Sequence, residues 1–397
     1  MGSVKVHRKV SRVMMRVFLI FLAVFSFSLP AQAQKILDDF KKPMPDIKLA
    51  PEAEFNAQST AYEEVPLGDK ALSYKVRLPK DWEEVKDGGL SNYSLSDKIF
   101  GEVARFFSPP RLESARSRFT IQAVKLDYQL TAEQWLLQYL LSNGYAIQGM
   151  ATKDDTRVEA LYVLIEDDIS YIVRAVAEIN GKRVILAQYY LPIEFWDIEK
   201  FVQAQVLSTF ALTNPDHELV ENMLKYQFLD IAEMSYPDSW ELRSPPLRSI
   251  DFMDAQLLNI ASGVEGVKDI ILNGKIEARL VSVFAADSIE SEVANLKTEF
   301  QKTGLSLQEV FEKPENFTSH KLFKNRKVEV YKASDSKSAL IDYELWLVTM
   351  EAGDYYYFLT LLTPSRDEDY FIWSRNTQTF KVVTSLIVPQ EESISDR

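Results

Sequence analysis

A short phrase that occurs twice constrains the fold of this chain more than any other feature. A strand-like run ends at Pro79 and reaches Trp82 after two further residues, and a second run does the same with Pro237 and Trp240. Both members of the phrase are separated from their counterparts by 158 positions. This spacing predicts two copies of one domain.

Further landmarks recur in the same order along both stretches. Thr131 and Gln134 have capping-box spacing ahead of an apolar run, and Ser288 or Asp287 begins the corresponding amphipathic helix. Five more pairs have offsets between 160 and 172: Gly144 with Gly304, Val158 with Val328, Gly181 with Gly353, Pro192 with Pro364, and Phe210 with Phe380 at the end of a predicted closing helix. The main increase, of ten residues, predicts one insertion near residues 310–325.

Each copy alternates β-rich runs and tight turns with two amphipathic helices, which requires an antiparallel sheet with helices on its faces. The predicted fold class is therefore α+β, with two tandem α/β/α sandwich domains. The predicted boundaries are a signal peptide at 1–33, a flexible arm at 34–61, a first domain at 62–213, a linker at 214–221, a second domain at 222–388 and a disordered tail at 389–397.

The first 33 residues have the order of a secretory signal peptide. Five basic residues precede the apolar run at 17–29, and Ala31-Gln32-Ala33 follows it. As a helix that run would be roughly 20 Å long, shorter than the ~30 Å hydrocarbon core of a bilayer. We therefore expect cleavage after Ala33, no transmembrane anchor in the mature protein, and export to a bacterial periplasm.

Charge and cysteine content exclude several classes of function. Loss of five basic residues with the signal would leave 40 of the 45 lysines and arginines against 58 acidic residues, a formal charge of −18. A surface this acidic repels phosphate backbones, so nucleic acid is not an expected partner. The chain has no cysteine, which excludes thiolate and disulfide chemistry.

The repeated phrase also resembles that of a known family. The stretches Leu78-Pro79-Lys80-Asp81-Trp82 and Tyr236-Pro237-Asp238-Ser239-Trp240, with the order of elements around them, resemble the PsbP-like superfamily, which includes the periplasmic DcrB-like proteins. The resemblance implies the α/β/α sandwich fold. It also implies non-catalytic protein binding, although one fold hosts many functions and no binding residue transfers position by position.

Catalytic and metal-binding motifs are missing from the sequence. The mature chain holds two histidines, His217 and His320, and neither has a counterpart in the other copy. The acidic triplets at 166–168 and 367–369 lack the spacing of a calcium loop, and are better explained as a hairpin turn and as the start of a helix. We therefore expect no enzymatic activity, no cofactor and no metal.

Two features could serve binding. Four arginines concentrate in or beside the run SPPRLESARSR of an otherwise acidic chain, and could dock an acidic partner surface: Arg105, Arg111, Arg116 and Arg118. The simpler interpretation is a solvated loop. The aromatic run at 355–358 would present side chains to both faces of a strand, where packing in the core is the favoured interpretation, as it is for Trp82 and Trp240.

These observations lead to a non-enzymatic periplasmic accessory or assembly factor that binds an envelope protein complex through two repeated domains. The alternative is a periplasmic protein that binds a small molecule or lipid in a pocket between sheet and helix. A hydrolase with a carboxylate pair ranks behind both, because it would need acids that converge in a cleft.

Overall fold

The computed structural model describes residues 42–85, 101–112, 115–245, 249–261, 272–315, 317–335 and 338–390. The predicted signal peptide lies outside the described residues. The architecture consists of two units, each with a seven-stranded antiparallel sheet and a three-stranded sheet. In the described part of the chain, no helix combines the length and the apolar character needed to span a membrane.

The described residues of the first unit form ten strands and three α-helices. Its strands are β1 (Ser59–Glu64), β2 (Tyr74–Pro79), β3 (Glu83–Glu84), β4 (Gly101–Phe107), β5 (Arg118–Lys125), β6 (Ala146–Asp154), β7 (Arg157–Glu166), β8 (Ile169–Asn180), β9 (Arg183–Pro192) and β10 (Ala211–Leu212). Its helices are α1 (Glu52–Gln58), α2 (Ala132–Ser142) and α3 (Trp196–Thr209).

Ten strands and two α-helices lie in the part of the second unit that the structure describes. Its strands are β11 (Met223–Phe228), β12 (Ala232–Pro237), β13 (Glu241–Arg243), β14 (Phe252–Ile260), β15 (Leu272–Ser282), β16 (Leu305–Glu312), β17 (Lys324–Asp335), β18 (Ser338–Ala352), β19 (Tyr355–Pro364) and β20 (Ile387–Pro389). Its helices are α4 (Ile289–Thr303) and α5 (Tyr370–Ser385).

Strand order is the same in the two units. The large sheets run β3-β4-β5-β9-β8-β7-β6 and β13-β14-β15-β19-β18-β17-β16, and the small sheets run β1-β2-β10 and β11-β12-β20. The pairs within the sheets are antiparallel, as short turns between consecutive strands require. The predicted α+β fold, with two tandem sandwiches built on antiparallel sheets, is confirmed.

The two faces of the first large sheet are covered by different layers. Along β9, Ile185, Ala187 and Tyr189 pack with α3 and the small sheet, whereas Val184 and Leu186 pack with α2. This alternation follows from the two-residue period of a strand. The second unit repeats the arrangement, with α5 and its small sheet on one face and α4 on the other.

The repeated phrase forms the same turn in both units. The backbone N–H of Trp82 donates to the carbonyl of Pro79 at 3.1 Å, and that of Trp240 donates to Pro237 at 3.1 Å. Both indole rings are buried, with 8% and 2% of the residue exposed. The predicted core role of the two tryptophans is confirmed.

The predicted helix caps are also present. Thr131 and Gln134 form a reciprocal capping box at the start of α2, and Ser288 forms one with Ser291 at the start of α4. Past the C-terminal ends of these helices Gly144 has φ of +67° and Gly304 has φ of +101°. A left-handed residue at this place is favourable for glycine because it has no Cβ.

The flexible arm predicted over 34–61 is wrong for its C-terminal part. Residues 52–58 form α1, which buries Phe55, and β1 pairs with β2 from Ser59 opposite Pro79 to Glu64 opposite Tyr74. The carbonyl of Lys42 also accepts a hydrogen bond from the β6 edge. Pairing with distant strands outweighs a local composition of prolines and charges, and the first unit therefore begins before residue 62.

The predicted insertion is confirmed, but one predicted residue pair is wrong. Residues 313–323 separate β16 from β17, where residues 155–156 suffice between β6 and β7. Strand register shows that Phe210 does not correspond to Phe380, because Ala211 lies opposite Lys75 and Val388 lies opposite Glu233. Phe380 lies inside α5, which continues to Ser385, whereas Phe210 directly follows the end of α3 at Thr209.

The connection between the units is docked on the first unit. The side-chain amide of Asn180 donates to the backbone carbonyl of Asn214 at 3.1 Å. The backbone N–H of Gly181 donates to the backbone carbonyl of Asp216 at 2.9 Å. Val220 is buried among the residues that pack on α2. The predicted linker at 214–221 is therefore tied to the β8–β9 turn.

Helix α5 adds a direct contact between the units. The guanidinium of Arg375 lies 5.0 Å from the ring centroid of Tyr128 in the first unit, and Tyr370 packs against the core beneath α2. Burial is the main cause that raises the pKa of Tyr370, and the nearby carboxylate of Glu133 adds to it. The two units therefore share buried side chains as well as a connector.

Substitution of Gly181 by alanine tests this docking. Gly181 has φ of +58°, and an added Cβ would lie 2.3 Å from a carboxylate oxygen of Asp216. Its counterpart Gly353 has φ of +54° with no atom within 4 Å of the added Cβ, which makes it a matched control. We expect Gly353→Ala to cost about 1–2 kcal/mol of unfolding free energy and Gly181→Ala to cost more. Equal losses in urea titrations would contradict a docked connector.

Candidate functional site

The strongest candidate site is a cavity on the α2 side of the first large sheet. Its volume is about 540 Å³. Its floor includes three alternate residues of β5, which are Arg118, Thr120 and Gln122, and Tyr190 of β9 beside them. Tyr139 of α2 and Tyr145, which follows α2, line the opposite side. The cavity lies between sheet and helix.

The position of α2 explains why this part of the sheet is open. The helix has 11 residues and packs mainly on β6, β7 and β8. Strands β4, β5 and β9 therefore continue past the helix, and their side chains on this face line the cavity instead of a dry interface. Residues 118, 120 and 122 share this face because successive strand residues point to opposite sides of a sheet.

Two ion pairs lie at the cavity. The guanidinium of Arg118 is paired with the carboxylate of Glu166 and lies 3.9 Å from the ring centroid of Tyr190. Arg105 is paired with Glu102 at 2.6 Å. The two positive and two negative charges balance, so the lining is strongly polar without a net charge.

Phenol groups surround the cavity and stay protonated at neutral pH. Burial raises the pKa of Tyr190 to about 12, partly opposed by Arg118. Burial also raises the pKa of Tyr139, and it raises that of the adjacent Tyr162 well above its usual value. Each phenol hydroxyl can therefore donate and accept a hydrogen bond.

One buried hydroxyl in the floor has an unused hydrogen-bonding capacity. Thr120 is 3% exposed, and its Oγ1 has no hydrogen-bond partner among the described residues. The neighbouring Gln188 donates its amide to the hydroxyl of Tyr162 at 2.6 Å, while its Oε1 has no partner in the same part of the chain. Buried polar atoms usually have a partner, which makes this floor suitable for a polar ligand.

A smaller cavity occupies the equivalent place in the second unit. Arg118 lies opposite Tyr190 in the first sheet, and Lys275 lies opposite Leu362 in the second. Tyr190 and Leu362 are 172 residues apart, as are Gly181 and Gly353, so Lys275 corresponds to Arg118. The equivalent cavity has a volume of about 350 Å³. The location is thus repeated, whereas its lining differs.

Charged side chains that pair with one another line the second cavity. Arg279 donates to Glu277 at 3.1 Å and to Glu299 of α4 at 2.8 Å. Glu299 precedes Gly304 by the same number of residues as Tyr139 precedes Gly144, so Glu299 corresponds to Tyr139 of the first unit. The second cavity is thereby bridged from sheet to helix by an ion pair.

The structure does not bring the four predicted arginines into one patch. Arg105 and Arg118 line the first cavity. Arg111 instead donates two hydrogen bonds to Glu199 of α3, at 2.7 and 2.8 Å, and Arg116 pairs with Glu83 of β3 at 2.9 Å. Every one of these guanidiniums has a carboxylate partner within the chain. Their role in partner binding stays a prediction.

The other predicted polar features have structural roles. Asp167 and Asp168 adopt φ of +50° and +63° in the β7–β8 turn, and Asp369 accepts hydrogen bonds from the first turn of α5, so both interpretations of the acidic triplets are confirmed. His217 is exposed and His320 is half-buried. No group of three or more potential metal ligands occurs in the described ranges.

Sequence reasoning missed both the cavity and a buried charge cluster. The cavity residues come from β4, β5, α2, β7 and β9, and nothing in their spacing links them. In the second unit the carboxylate of Glu344 accepts hydrogen bonds from Arg366 Nε at 2.8 Å and from the indole N–H groups of Trp346 and Trp373 at 3.0 and 2.8 Å. No sequence signal distinguishes Glu344, because the same strand also contains the acids Asp342 and Glu351.

Comparison with known proteins finds similarity at the level of structure. No protein-family model matches the chain, and no curated protein matches it. The solved PsbP (CyanoP) from Synechocystis sp. PCC 6803 is similar over 43% of this chain and 98% of its own, with 16% identity and a TM-score of 0.29. The Ran-binding protein Mog1p of Saccharomyces cerevisiae is similar over 39% of this chain and 97% of its own, with 7% identity and a TM-score of 0.28.

A third solved structure covers more of the chain. The immunity protein TplEi of the T6SS from Pseudomonas aeruginosa is similar over 80% of this chain and 94% of its own, with 8% identity and a TM-score of 0.20. The chain is thus similar to a PsbP, whose superfamily the repeated phrase resembles, and also to a Ran-binding protein. These structural similarities are too weak to assign a function.

Proposed function

We propose that this protein is a non-enzymatic periplasmic accessory or assembly factor that binds an envelope protein through its two units together. One observation supports this most: the same strand order occurs twice, and the copies are joined by a docked connector and a shared helix contact. Two linked modules raise the effective concentration of the second contact once the first has formed.

The location is part of the proposal and has its own test. The order of basic, apolar and small residues at 1–33 supports export and cleavage after Ala33. We expect the mature protein to be recovered in the periplasmic fraction with Gln34 as its first residue, as determined by N-terminal sequencing. Recovery of the intact N-terminus in the cytoplasm would overturn this part of the proposal.

The partner can be sought by crosslinked affinity purification from the host envelope. We expect one envelope protein at a constant ratio to the bait. Deletion of the whole segment 34–61 would remove α1 and part of β1, so the informative deletion is 34–41, which leaves both elements intact. A bait that returns alone from both forms would contradict the proposal.

A second function is favoured by the cavity of the first unit. We propose that the protein also binds a small molecule there, because polar side chains from the sheet and the α2 side converge on an open space of about 540 Å³. Ligand pockets have volumes of roughly 300–1,000 Å³ and a few convergent polar groups. Native mass spectrometry of protein purified from its host is expected to show a retained or exchangeable mass, and a mass without additions under all conditions would count against this function.

A further inference from the structure

We propose that the cavity of the first unit binds an uncharged, hydroxyl-rich ligand of the saccharide class, with one site per chain. This inference rests on the second proposed function and specifies its ligand. It follows from the charge balance at the cavity, from the flat side chains that line it, and from the difference between the two units.

The charges at the cavity disfavour an ionic ligand. Arg118 is already paired with Glu166, and Arg105 with Glu102. An anion would have to displace a carboxylate from a guanidinium, and a cation would have to displace a guanidinium from a carboxylate. A neutral ligand can use the remaining capacity, since a guanidinium has five N–H donors and a carboxylate about four acceptor positions.

The polar groups have the shape that neighbouring hydroxyls require. Guanidinium, carboxylate and amide groups are planar and carry two hydrogen-bonding atoms side by side. Arg118, Glu166 and Gln122 all line the cavity, from β5 and the end of β7. Two adjacent ring hydroxyls, each both donor and acceptor, match such pairs of atoms.

Aromatic rings supply a surface for the apolar face of a sugar ring. Tyr139 and Tyr145 are half-buried at the cavity, and their ring centroids lie 5.9 Å apart at an interplanar angle of 71°. The ring of Tyr145 is in turn stacked on Tyr162 at 5.3 Å, which fixes its orientation. Rigid, partly exposed aromatic rings pack well on C–H surfaces while their hydroxyls hydrogen-bond.

The floor of the cavity contains the hydroxyl of Thr120, which has no hydrogen-bond partner among the described residues. Its Oγ1 atom is also buried. A ligand hydroxyl that reaches this atom would satisfy it. The atom already lacks both a partner and solvent contact in the free protein, so an apolar ligand would gain nothing from it, whereas a hydrogen bond from a ligand hydroxyl would contribute to binding.

The second unit lacks these properties at the equivalent place. Glu299 replaces a tyrosine on the helix and pairs with Arg279, whose position corresponds to Gln122. The ion pair spans the space that the ligand would use, and the cavity is smaller, at about 350 Å³. The inference is therefore one binding site per chain rather than two.

The test is isothermal titration calorimetry of the full mature chain with methyl α-D-glucoside, N-acetylglucosamine and maltose, and with inorganic phosphate and choline as charged comparators. We expect at least one saccharide to bind at one site per chain, and neither charged probe to compete. Thr120→Val keeps the shape and removes the hydroxyl, so it is expected to weaken binding about three- to tenfold. Thr298→Val, on the exposed face of α4, is the matched control and should leave binding unchanged.

Each other outcome overturns a distinct claim. If phosphate or choline binds and Thr120→Val weakens that binding, the cavity is a binding site but its proposed ligand class is wrong. Saccharide binding that is as strong in both Thr120→Val and Tyr145→Ala as in the unsubstituted protein would place the site elsewhere and overturn the inference. Absence of saccharide binding at probe concentrations on the order of 10 mM would overturn the ligand class, whereas the second proposed function is overturned only if native mass spectrometry also shows no added mass.

Discussion

Substitution of Glu344 by alanine is expected to lower the free energy of unfolding of the second unit by about 3–5 kcal/mol. The carboxylate is 2% exposed and accepts hydrogen bonds from Arg366, Trp346 and Trp373. Its removal leaves the half-buried guanidinium of Arg366 with Glu312 as its one carboxylate partner among the described residues. It also leaves two indole N–H groups without an acceptor.

The measurement is urea unfolding followed by far-ultraviolet circular dichroism. Glu309→Ala is the matched control, because Glu309 is an exposed glutamate of the same sheet, and surface substitutions usually change stability by less than about 0.5 kcal/mol. A loss for Glu344→Ala no larger than that of Glu309→Ala would show that the cluster does not hold the second unit together.

The second large effect is expected for the tryptophans of the repeated phrase. Trp82→Ala and Trp240→Ala should each lower the free energy of unfolding by about 3–5 kcal/mol, because a large buried ring is replaced by a cavity. Trp82 packs 5.1 Å from Tyr189 in the first unit, and Trp240 packs in the core below β12 in the second.

Each substitution should affect its own unit first. Hydrogen exchange with mass spectrometry can follow both units in one sample, and we expect faster exchange around the substituted unit. Phe284→Ala is the control, since Phe284 is 83% exposed and its loss removes little packing. Losses close to that of Phe284→Ala would mean that the repeated phrase marks a turn without anchoring a core.

The fold was largely predictable because its signals are local. The turn from Pro79 to Trp82, the capping box at Thr131 and the left-handed glycine at 181 each depend on residues close in the chain. Two copies reinforce such signals, since a landmark that is weak once becomes informative when it recurs in order. The α+β sandwich follows from these elements and from the need to bury their apolar faces.

The parts that sequence reasoning missed depend on pairing between distant residues. The flexible arm predicted at 34–61 includes α1 and the first three residues of β1, because the strand that pairs with β1 and the core that buries Phe55 are not visible in the local sequence. The pairing of Phe210 with Phe380 is wrong because both the loop before the closing helix and the helix itself are longer in the second unit, which moves β20 further along the chain. Local composition carries no information on either point.

The site was the least predictable part for the same reason. The four arginines form a cluster in the sequence, yet three of them pair with carboxylates far away in the chain: Arg111 with Glu199, Arg116 with Glu83 and Arg118 with Glu166. The tyrosines of the cavity gave no signal, because a tyrosine in a β-rich run usually indicates core packing. Only the sheet brings them to the same place as Thr120.

Photo-crosslinking in the host cell tests the central claim, that both units bind one partner together. A photoreactive residue is placed at Ile198 of α3 in one variant and at Phe371 of α5 in another, because both are exposed on the closing helix of their unit. We predict that both variants crosslink to the same envelope protein. Crosslinks from one variant alone, or from neither, would contradict a function that depends on the paired units.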